Sequence, residues 1–361
     1  MRSVRAIYRY PIKGLSPQPV PGVMLEAGKP FPFDRVFALV RPNLPVDPEA
    51  PRWAKKGLFL MLMLDEALAR VQTHLDVESL ELTILANDAP PAASGSATRL
   101  DANDARARTL LRVNLGTRAG RDAVNAFFHQ QVPGLAAAPQ LVRARDGHFM
   151  DKPDNVMSCI NLATVRSLEA QWGRAVHPLR FRANFYLDGF RPWEELDWMG
   201  SDILLGDVLF RVDRRNGRCG ATNVNPETGE RDMDIPGALR NAFGHKDVGI
   251  YLIARNAGKV VVGDAVTVPD LGASAPEVQA SAPLPAGQGC FICRGCYYLY
   301  DAAARPTVGA AKVPFGELGE DFRCPDCGTE KANFRPYLAA PHLVMATPGA
   351  PSSGASLPAK P

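Results

Sequence analysis

Four cysteines near the C-terminal end are spaced as two metal-binding pairs. Cys293 and Cys296 form one Cys-x-x-Cys motif, and Cys324 and Cys327 form another. Each motif brings two thiolates onto one ion, and two motifs complete a tetrahedral site of four sulfur ligands, which is typical of zinc or iron. Five of the seven cysteines fall in the last quarter of the chain. This clustering indicates metal binding rather than disulfides.

Another candidate for chemistry is Cys219, which lies in the polar stretch from Asn216 to Asp232. It follows Arg218 directly, and Gly217 and Gly220 allow the backbone to turn tightly on either side. A thiolate in a positive setting can act as a nucleophile or as a soft metal ligand. Because a lone cysteine is a weak signal, this stretch alone leaves open the alternative of a small buried core residue.

Length and charge bound the rest of the interpretation. The 361 residues predict two or three domains, and the net charge of +3 argues against non-specific nucleic-acid binding while allowing a local basic pocket. The strongest apolar run, Leu58 to Leu64, is far too short to span a bilayer. The N-terminus enters a strand-like pattern with no signal-peptide core. We therefore expect a cytoplasmic protein that binds neither nucleic acid nor membranes.

The elements that must position these cysteines are mostly short strands separated by proline and glycine. This pattern favours a mainly β protein with some α (α+β), built on a small barrel or sandwich. Two amphipathic helices are predicted, over Asp122–Gln131 and Asn161–Trp172. We predict an exposed loop over 86–108, a flexible linker over 269–289 and a disordered tail over 338–361. The predicted strands are Val4–Ile12, Val23–Glu26, Arg35–Val40, Phe185–Asp188, Ile203–Phe210, Ala221–Val224, Tyr251–Ala254, Lys259–Val262 and Ala265–Val268.

The flanks of the two cysteine pairs bear on the choice of metal. They place aromatic residues at Tyr298, Tyr300, Phe315, Phe322 and Phe334, acidic residues at Asp301 and Asp321, a leucine at Leu318, and Pro325 after Cys324. This pattern resembles rubredoxin nearly end to end, which implies one iron held by Cys293, Cys296, Cys324 and Cys327 that shuttles one electron. Two departures are Tyr297, where rubredoxins usually have glycine, and the additional Cys290, which the aromatic spacing leaves outside the ligand set. The alternative is a structural zinc ribbon.

Further motifs follow one another in order along residues 1–268. They are Tyr10-Pro-Ile-Lys13-Gly14, Phe33-Asp-Arg35, Phe181-Arg182-Ala183-Asn184, Trp193–Trp198, Ile203–Val208, Arg218–Gly229, Leu252–Asn256 and Val262–Asp264. Together they resemble a MOSC domain and the β-barrel domain that precedes it, as in the family of the mitochondrial amidoxime-reducing component. The resemblance implies a MOSC N-terminal β-barrel-like domain over 1–122, a MOSC β-barrel domain over 123–268 and, after the linker, a rubredoxin-like domain over 290–337.

The same resemblance implies a molybdenum cofactor (molybdopterin), with Cys219 as the molybdenum ligand and catalytic residue. The pterin phosphate is an anion that needs cationic partners, and asparagine can donate and accept hydrogen bonds to it. Two departures are Gly14, where relatives often have serine, and Ala183, where they usually have proline. Cys159 is predicted to be a core residue. The predicted cofactor contacts are Lys13, Gly14, Arg35, Arg182, Asn184 and Arg218, with Ser158 and Asn161 as weaker candidates.

These resemblances lead to a functional hypothesis. The chain is expected to be a molybdenum-dependent oxidoreductase that reduces N-hydroxylated or N-oxide small molecules, with the iron module returning single electrons from an external reductase. The flexible linker would let that module swing between the molybdenum and the reductase. The alternative is a carrier that binds molybdenum cofactor or sulfur through Cys219 and uses a structural zinc ribbon to dock a partner.

Overall fold

A computed structural model describes residues 1–44, 46–47, 50–87, 108–268, 290–301 and 313–337. The predicted linker, the predicted tail and residues 88–107 of the predicted loop lie outside the described residues. Within the described residues the chain is mainly β with three α-helices, which confirms the predicted fold class. No helix in these ranges has the length and apolar character needed to cross a membrane.

The strands are numbered in chain order. The first nine are β1 (Ser3–Arg9), β2 (Gln18–Pro19), β3 (Gly22–Leu25), β4 (Phe37–Val40), β5 (Val71–Leu75), β6 (Glu81–Ala86), β7 (Thr109–Asn114), β8 (Gln140–Arg143) and β9 (Met157–Asn161). The remainder are β10 (Phe185–Asp188), β11 (Asp202–Leu205), β12 (Val208–Gly217), β13 (Asp247–Ala254), β14 (Gly258–Val261), β15 (Val266–Thr267), β16 (Cys290–Cys293), β17 (Leu299–Asp301) and β18 (Phe334–Pro336). The helices are α1 (Arg118–Gln131), α2 (Leu162–Trp172) and α3 (Ile235–Phe243).

The largest sheet has the strand order β15-β11-β12-β13-β9-β10-β1-β2. The sheet curls back on itself, because the Val4 N–H donates to the Asp264 carbonyl over 2.9 Å and so joins β1, next to one end of the sheet, to the segment that leads into β15 at the other end. This contact closes the curled sheet into a barrel. Successive side chains on a strand point to opposite faces, and one set, including Ile7, Phe185 and Phe210, packs into a common buried core.

The parallel pair β9 and β10 requires a crossover connection, which α2 supplies. The Asn161 side chain caps α2 by accepting a hydrogen bond from the Ala163 N–H over 3.0 Å. The helix ends at Gly173, which takes the left-handed φ of 64° that favours glycine. The predicted helix over Asn161–Trp172 is therefore confirmed, with its first residue serving as the cap.

The other two helices also begin at capping side chains. The hydroxyl of Thr117 accepts from the Gly120 N–H over 3.0 Å, so α1 begins earlier than the predicted Asp122 start. The helix α3 was missed by the sequence analysis. Asp234 caps it by accepting from the Gly237 N–H over 3.1 Å, and this acidic cap is the signal that could have revealed so short a helix.

Two strand predictions are wrong. The segment Ile203–Phe210 is a hairpin of β11 and β12, because Gly206 takes a φ of 52° and turns the chain. The segment Ala221–Val224 lies mostly in a 3₁₀ helix. There the backbone N–H and the hydroxyl of Thr222 both donate to the Cys219 carbonyl, over 3.0 and 2.9 Å, which closes a turn instead of extending a strand.

Smaller antiparallel sheets surround the barrel. The strands β3 and β14 form one pair, and β4 and β8 form another. The sheet β5-β6-β7 packs with α1 over a second hydrophobic core that includes Leu82, Val124 and Phe128. These sheets support the segments that carry Lys13 and Arg35.

A three-stranded sheet of order β17-β16-β18 forms the C-terminal module, here the described residues from 290 to 337. Its core is aromatic, as the sequence pattern predicts. The ring of Phe315 lies 5.0 Å from that of Phe334 and 5.9 Å from that of Phe322, measured between centroids. Cys290 begins β16 and is buried there.

Candidate cofactor cavity and metal centre

A cavity of about 320 Å³ lies where the barrel, residues 56–63 and the C-terminal module meet. Its described lining is strongly basic, with ten lysine and arginine residues against two aspartates. It therefore suits an anionic ligand. The basic residues are Lys13, Arg35, Lys56, Lys152, Arg180, Arg182, Arg214, Arg215, Arg218 and Lys246. The predicted site residues that line it are Lys13, Gly14, Arg35, Ser158, Arg182, Arg218 and Cys219.

Cys219 sits where β12 has ended and the 3₁₀ helix begins, and it is partly exposed at the cavity wall. The backbone on either side is fixed. The Arg218 N–H donates to the Lys246 carbonyl over 2.7 Å, and the Gly220 N–H donates to the Gly295 carbonyl over 2.7 Å. A thiol held rigidly at the wall of a basic cavity is suited to bind a soft metal ion there. Cys159, in contrast, is fully buried in the barrel core as predicted, and burial raises the pKa of its thiol.

Two guanidinium groups flank one buried aromatic ring. The guanidinium carbon of Arg35 lies 4.2 Å and that of Arg182 4.5 Å from the ring centroid of Tyr10. Burial, followed by the like charge of Arg35, lowers the pKa of Arg182 to about 10. Asp34 pairs with Arg35, whereas the guanidinium of Arg182 donates to the neutral Leu15 carbonyl over 2.7 Å. The electrostatics of this pair therefore favour an anion beside Arg182.

Lys13 and Lys56 share one carboxylate at the cavity wall. Their ammonium groups contact Asp151 over 2.6 and 2.9 Å, and Lys13 also donates to the Phe149 carbonyl over 2.8 Å. Burial lowers the pKa of Lys13 in spite of Asp151, and the two lysines hold the pKa of Asp151 far below its usual range although burial opposes this. The sequence analysis missed Lys56 and Asp151, because no motif or spacing marked either residue.

The remaining predicted contacts are hydrogen bonded within the protein. The guanidinium of Arg218 donates to the carbonyls of Val248 and Phe181 over 2.7 and 2.9 Å. The Asn184 side chain is fully buried, accepts from the backbone and hydroxyl of Ser158, and does not reach the described lining of the cavity. In that position Asn184 orients Ser158, which does line the cavity.

Asn161 also lies away from the described cavity lining. It is fully buried, caps α2, and donates to the carboxylate of Glu195 over 3.0 Å and to the Arg191 carbonyl over 2.7 Å. Gly14 lies at the cavity with a φ of 84°, and a Cβ there would come within 3.1 Å of the Leu60 carbonyl. This crowding and the left-handed backbone both favour glycine at position 14.

The four paired cysteines of the C-terminal module converge on one point. Their sulfur atoms all lie within 4.8 Å of one another, and all four residues are buried. The sulfurs of Cys293 and Cys327 are 3.7 Å apart, and those of Cys296 and Cys324 are 3.5 Å apart. A tetrahedral ion with metal–sulfur bonds of about 2.3 Å would separate its ligands by about 3.8 Å. The four thiols therefore fit a single tetrahedral iron or zinc ion, and Cys290 lies outside this set.

The C-terminal module closes over the cavity, because Cys296 lines the same cavity as Cys219. Met61 and Met63 pack into one cluster with the four metal-site cysteines, and Cys219 packs against its edge. The second cysteine pair is also tied to residues 56–63, since the Gly57 N–H donates to the Cys327 carbonyl over 2.8 Å. The candidate metal centre and Cys219 thus face a common space.

Family comparisons match both parts of the chain. A family model described as the MOSC domain matches residues 146–267, and one described as rubredoxin matches residues 290–334. The "Probable rubredoxin" of Methanothermobacter thermautotrophicus is 38% identical over 52 residues, which is 13% of this chain and 76% of that protein.

A longer match is to the "Molybdenum cofactor sulfurase" of Anopheles gambiae, which is 27% identical over 265 residues, or 67% of this chain and 33% of the relative. The chain spans a third or less of the length of the sulfurases of this name reported for Anopheles gambiae and Drosophila mojavensis. Among solved structures, YiiM from Geobacillus stearothermophilus is 19% identical with a TM-score of 0.26, over 34% of this chain and 58% of that structure. The two family-model matches show that the chain contains a MOSC domain, followed on its C-terminal side by a rubredoxin domain.

Proposed function

We propose that this protein is a molybdenum-cofactor-dependent oxidoreductase with a built-in rubredoxin electron carrier, acting on N-hydroxylated or N-oxide small molecules. The observation that carries the proposal is that Cys219 of the MOSC domain and Cys296 of the rubredoxin domain line one basic cavity. A MOSC protein that only carried cofactor or sulfur would gain nothing from a metal centre facing its thiol. Reduction of an N-hydroxyl group consumes two electrons and two protons and releases the amine and water, so a one-electron carrier beside the site is appropriate.

The residues present fit a molybdenum cofactor by their chemistry. Cys219 offers the soft sulfur ligand that molybdenum takes in addition to its pterin dithiolene. Arg182 and Arg35 offer planar, bidentate donors for the phosphate, and Lys13 adds a point charge beside them. Once bound, the cofactor supplies oxygen-atom chemistry between substrate and metal, which no side chain of the cavity could supply.

The protein contributes positioning and shielding. Arg182 and Arg35 both lie against the ring of Tyr10, and each donates to a backbone carbonyl, so their guanidinium groups are positioned before an anion arrives. The 3₁₀ turn after Cys219 holds its backbone through the two bonds from Thr222. The C-terminal module covers the opposite side with Cys296, and Met61 and Met63 of the adjoining segment pack against its metal-site cysteines, which limits the access of water to the site.

The two sulfur sites are joined by a short backbone route. It runs from Cys296 to the neighbouring Gly295 carbonyl, across the 2.7 Å hydrogen bond to the Gly220 N–H, and on to the neighbouring Cys219. Such a path of covalent bonds and one hydrogen bond suits transfer of single electrons. We propose iron as the occupant of the four-cysteine site, with an external reductase supplying its electrons.

The second candidate is a carrier that presents molybdenum cofactor or sulfur on Cys219, with zinc in the four-cysteine site. Its support is the likeness to molybdenum cofactor sulfurases, of which this chain spans a third or less. Four thiolates suit zinc as well as iron. An absorption spectrum distinguishes the two, because ferric iron in four thiolates is coloured and zinc is not.

The test is metal and pterin analysis of protein made in a host that synthesises the cofactor. Because the cavity offers one thiolate outside the four-cysteine site, that of Cys219, we expect about one molybdenum and one pterin per chain. We also expect the protein to reduce an amidoxime with a reduced viologen as the electron donor. The variant Cys219→Ser should lose that turnover while keeping its fold, whereas Cys290→Ser, a buried cysteine outside both sites, should keep turnover and colour. Full reductase activity in Cys219→Ser would refute the proposal, and bound molybdenum without any reduction of N-oxygenated substrates would favour the carrier.

A further inference from the structure

Tyr297 occupies a backbone position that ordinarily belongs to glycine. It follows the metal-site residue Cys296 and has a φ of 61°, in the left-handed region that residues with a Cβ rarely adopt. The sequence comparison with rubredoxin marked this residue as a departure, and the metal site itself does not explain it. A bulky residue at such a position indicates that its side chain makes a compensating contact.

That contact is with the MOSC domain. The buried phenol of Tyr297 donates to the carboxylate of Asp234 and accepts from the Asn223 side-chain amide over 3.1 Å. The backbone carbonyl of Tyr297 accepts from the Arg240 guanidinium over 2.6 Å. One residue thus joins the rubredoxin domain to three side chains of its neighbour, and the bond to a carboxylate is of the stronger, charge-assisted kind.

The receiving side is built in advance by the start of α3. Asp234 caps that helix by accepting from the Gly237 N–H over 3.1 Å. The side-chain oxygen of Asn223 accepts from the Ile235 N–H over 2.9 Å, which orients the side-chain amide nitrogen towards the phenol. Both partners of the Tyr297 phenol are therefore fixed by the MOSC domain and do not depend on the metal.

We infer that Tyr297 is a docking anchor that holds the rubredoxin domain on the MOSC domain with Cys296 facing Cys219. The domain is a fixed cover of the cavity, in contrast to the swinging carrier that the linker composition predicts. The docking stands on the contacts above, while its consequence for electron transfer rests on the proposed function. Tyr297 is a positioning residue, because it reaches the reacting centre only through the placement of the domain.

The test uses the full chain, loaded with iron and made without molybdenum, so that neither cofactor nor substrate is needed. Two variants separate the anchor from the metal site. Tyr297→Phe removes the hydroxyl and keeps the backbone strain, while Tyr297→Gly removes the side chain and relieves the strain. The matched control is Tyr298→Phe, because the neighbouring Tyr298 packs against the metal-site cluster of its own domain.

The readout is the rate at which iodoacetamide alkylates Cys219, followed by peptide mass spectrometry, together with deuterium uptake at the Gly220 amide. Undocking should expose both, so we expect alkylation to rise about tenfold in Tyr297→Phe and Tyr297→Gly, as for loss of one charge-assisted hydrogen bond. Tyr298→Phe should match the parent protein. The visible spectrum of the iron should be retained in Tyr297→Gly, since glycine suits the left-handed backbone.

Equal alkylation rates in the parent, Tyr297→Phe and Tyr297→Gly would overturn the anchor. So would loss of iron from Tyr297→Gly together with an unchanged alkylation rate in Tyr297→Phe, because Tyr297 would then serve the metal site alone. These results do not depend on the reaction. Parent protein that is made in a host that synthesises the cofactor, and yet holds no molybdenum, would refute the proposed function and leave the anchor standing.

Discussion

Replacing Arg182 by glutamine tests whether the basic cavity is built around an anion. Burial, followed by the like charge of Arg35, lowers the pKa of Arg182 from the ordinary value of arginine to about 10. At about 1.4 kcal/mol for each pKa unit, the shift corresponds to about 3 kcal/mol of unfavourable free energy for the charged form of this group in the folded protein. The side chain is partly reached by water, so we take about 2 kcal/mol as the relevant figure.

The direction of this pKa shift determines how the free energy of unfolding depends on pH. Between about pH 10 and the ordinary pKa of arginine, the unfolded chain binds more protons at this residue than the folded chain, so stability rises with pH across that window. At neutral pH the charged Arg182 therefore costs stability in protein that lacks an anion. An anion placed beside Arg182 recovers that cost, and about 2 kcal/mol corresponds to about a 30-fold gain in affinity.

We therefore expect Arg182→Gln to weaken retention of the pterin about 30-fold while changing the stability of the cofactor-free protein little. The lost bond to Leu15 would be offset by relief of the buried charge. The control is Arg214→Gln, which removes a guanidinium from the same cavity wall that is already paired with Asp154 over 2.6 Å.

The assay is pterin content after extended dialysis, with urea unfolding of the cofactor-free proteins as the stability measurement. Lys13→Ala and Arg35→Ala should also lower pterin content, because each removes a charge-assisted contact. Full occupancy in Arg182→Gln, or the same loss in Arg214→Gln, would show that the anion does not bind between Arg35 and Arg182.

Three further predictions follow from named contacts. The full chain should be red as purified and bleached by dithionite, and Cys324→Ser should abolish the colour; a colourless, zinc-filled protein would contradict an electron-carrying role. A Cβ at position 220 would come within 3.0 Å of the Gly295 carbonyl, whereas a Cβ at position 316 would meet no atom within 4 Å. Gly220→Ala should therefore slow oxidation of the iron by the molybdenum site, as followed by stopped-flow absorbance, and the control Gly316→Ala should not. Burial raises the pKa of Glu195 to about 7, so the folded protein holds this proton more tightly than the unfolded chain. The free energy of unfolding should therefore fall by about 3 kcal/mol as pH rises from 4.5 to 7. Glu195→Gln should remove that fall in urea unfolding, and an equal pH dependence of the unfolding free energy in parent and variant would contradict the prediction.

The chemistry-bearing residues were the part of the molecule that sequence could predict. The spacing of the two cysteine pairs specifies a tetrahedral sulfur site, and the four thiols converge as that spacing requires. Lys13, Arg35, Arg182 and Cys219 come from motifs that lie far apart in the chain, and the structure brings them to one cavity. Their roles towards a cofactor, and the domain boundaries drawn around them, stay predictions.

Local conformation was harder to predict where hydrogen bonds compete with side-chain pattern. The Ala221–Val224 segment has strand-like residues, but the two bonds from Thr222 to the Cys219 carbonyl turn it into a 3₁₀ helix. Lys56 and Asp151 could not be found, because their pairing exists only once residues nearly a hundred positions apart are folded together. No periodicity or motif encodes a contact of that kind.

The relation between the two domains was also beyond the reach of the sequence, and it changes the functional interpretation most. A linker rich in alanine, proline, serine and glycine predicts a mobile carrier, yet the described residues hold the rubredoxin domain at several points. The bond from Gly220 to Gly295 lies between the residues that adjoin Cys219 and Cys296. Tyr297, which departs from the rubredoxin pattern, meets Asp234 at the helix that the sequence analysis missed. A departure from a family pattern that is matched by a contact on the partner domain argues for a fixed interface, in which the iron site and Cys219 operate at one set distance.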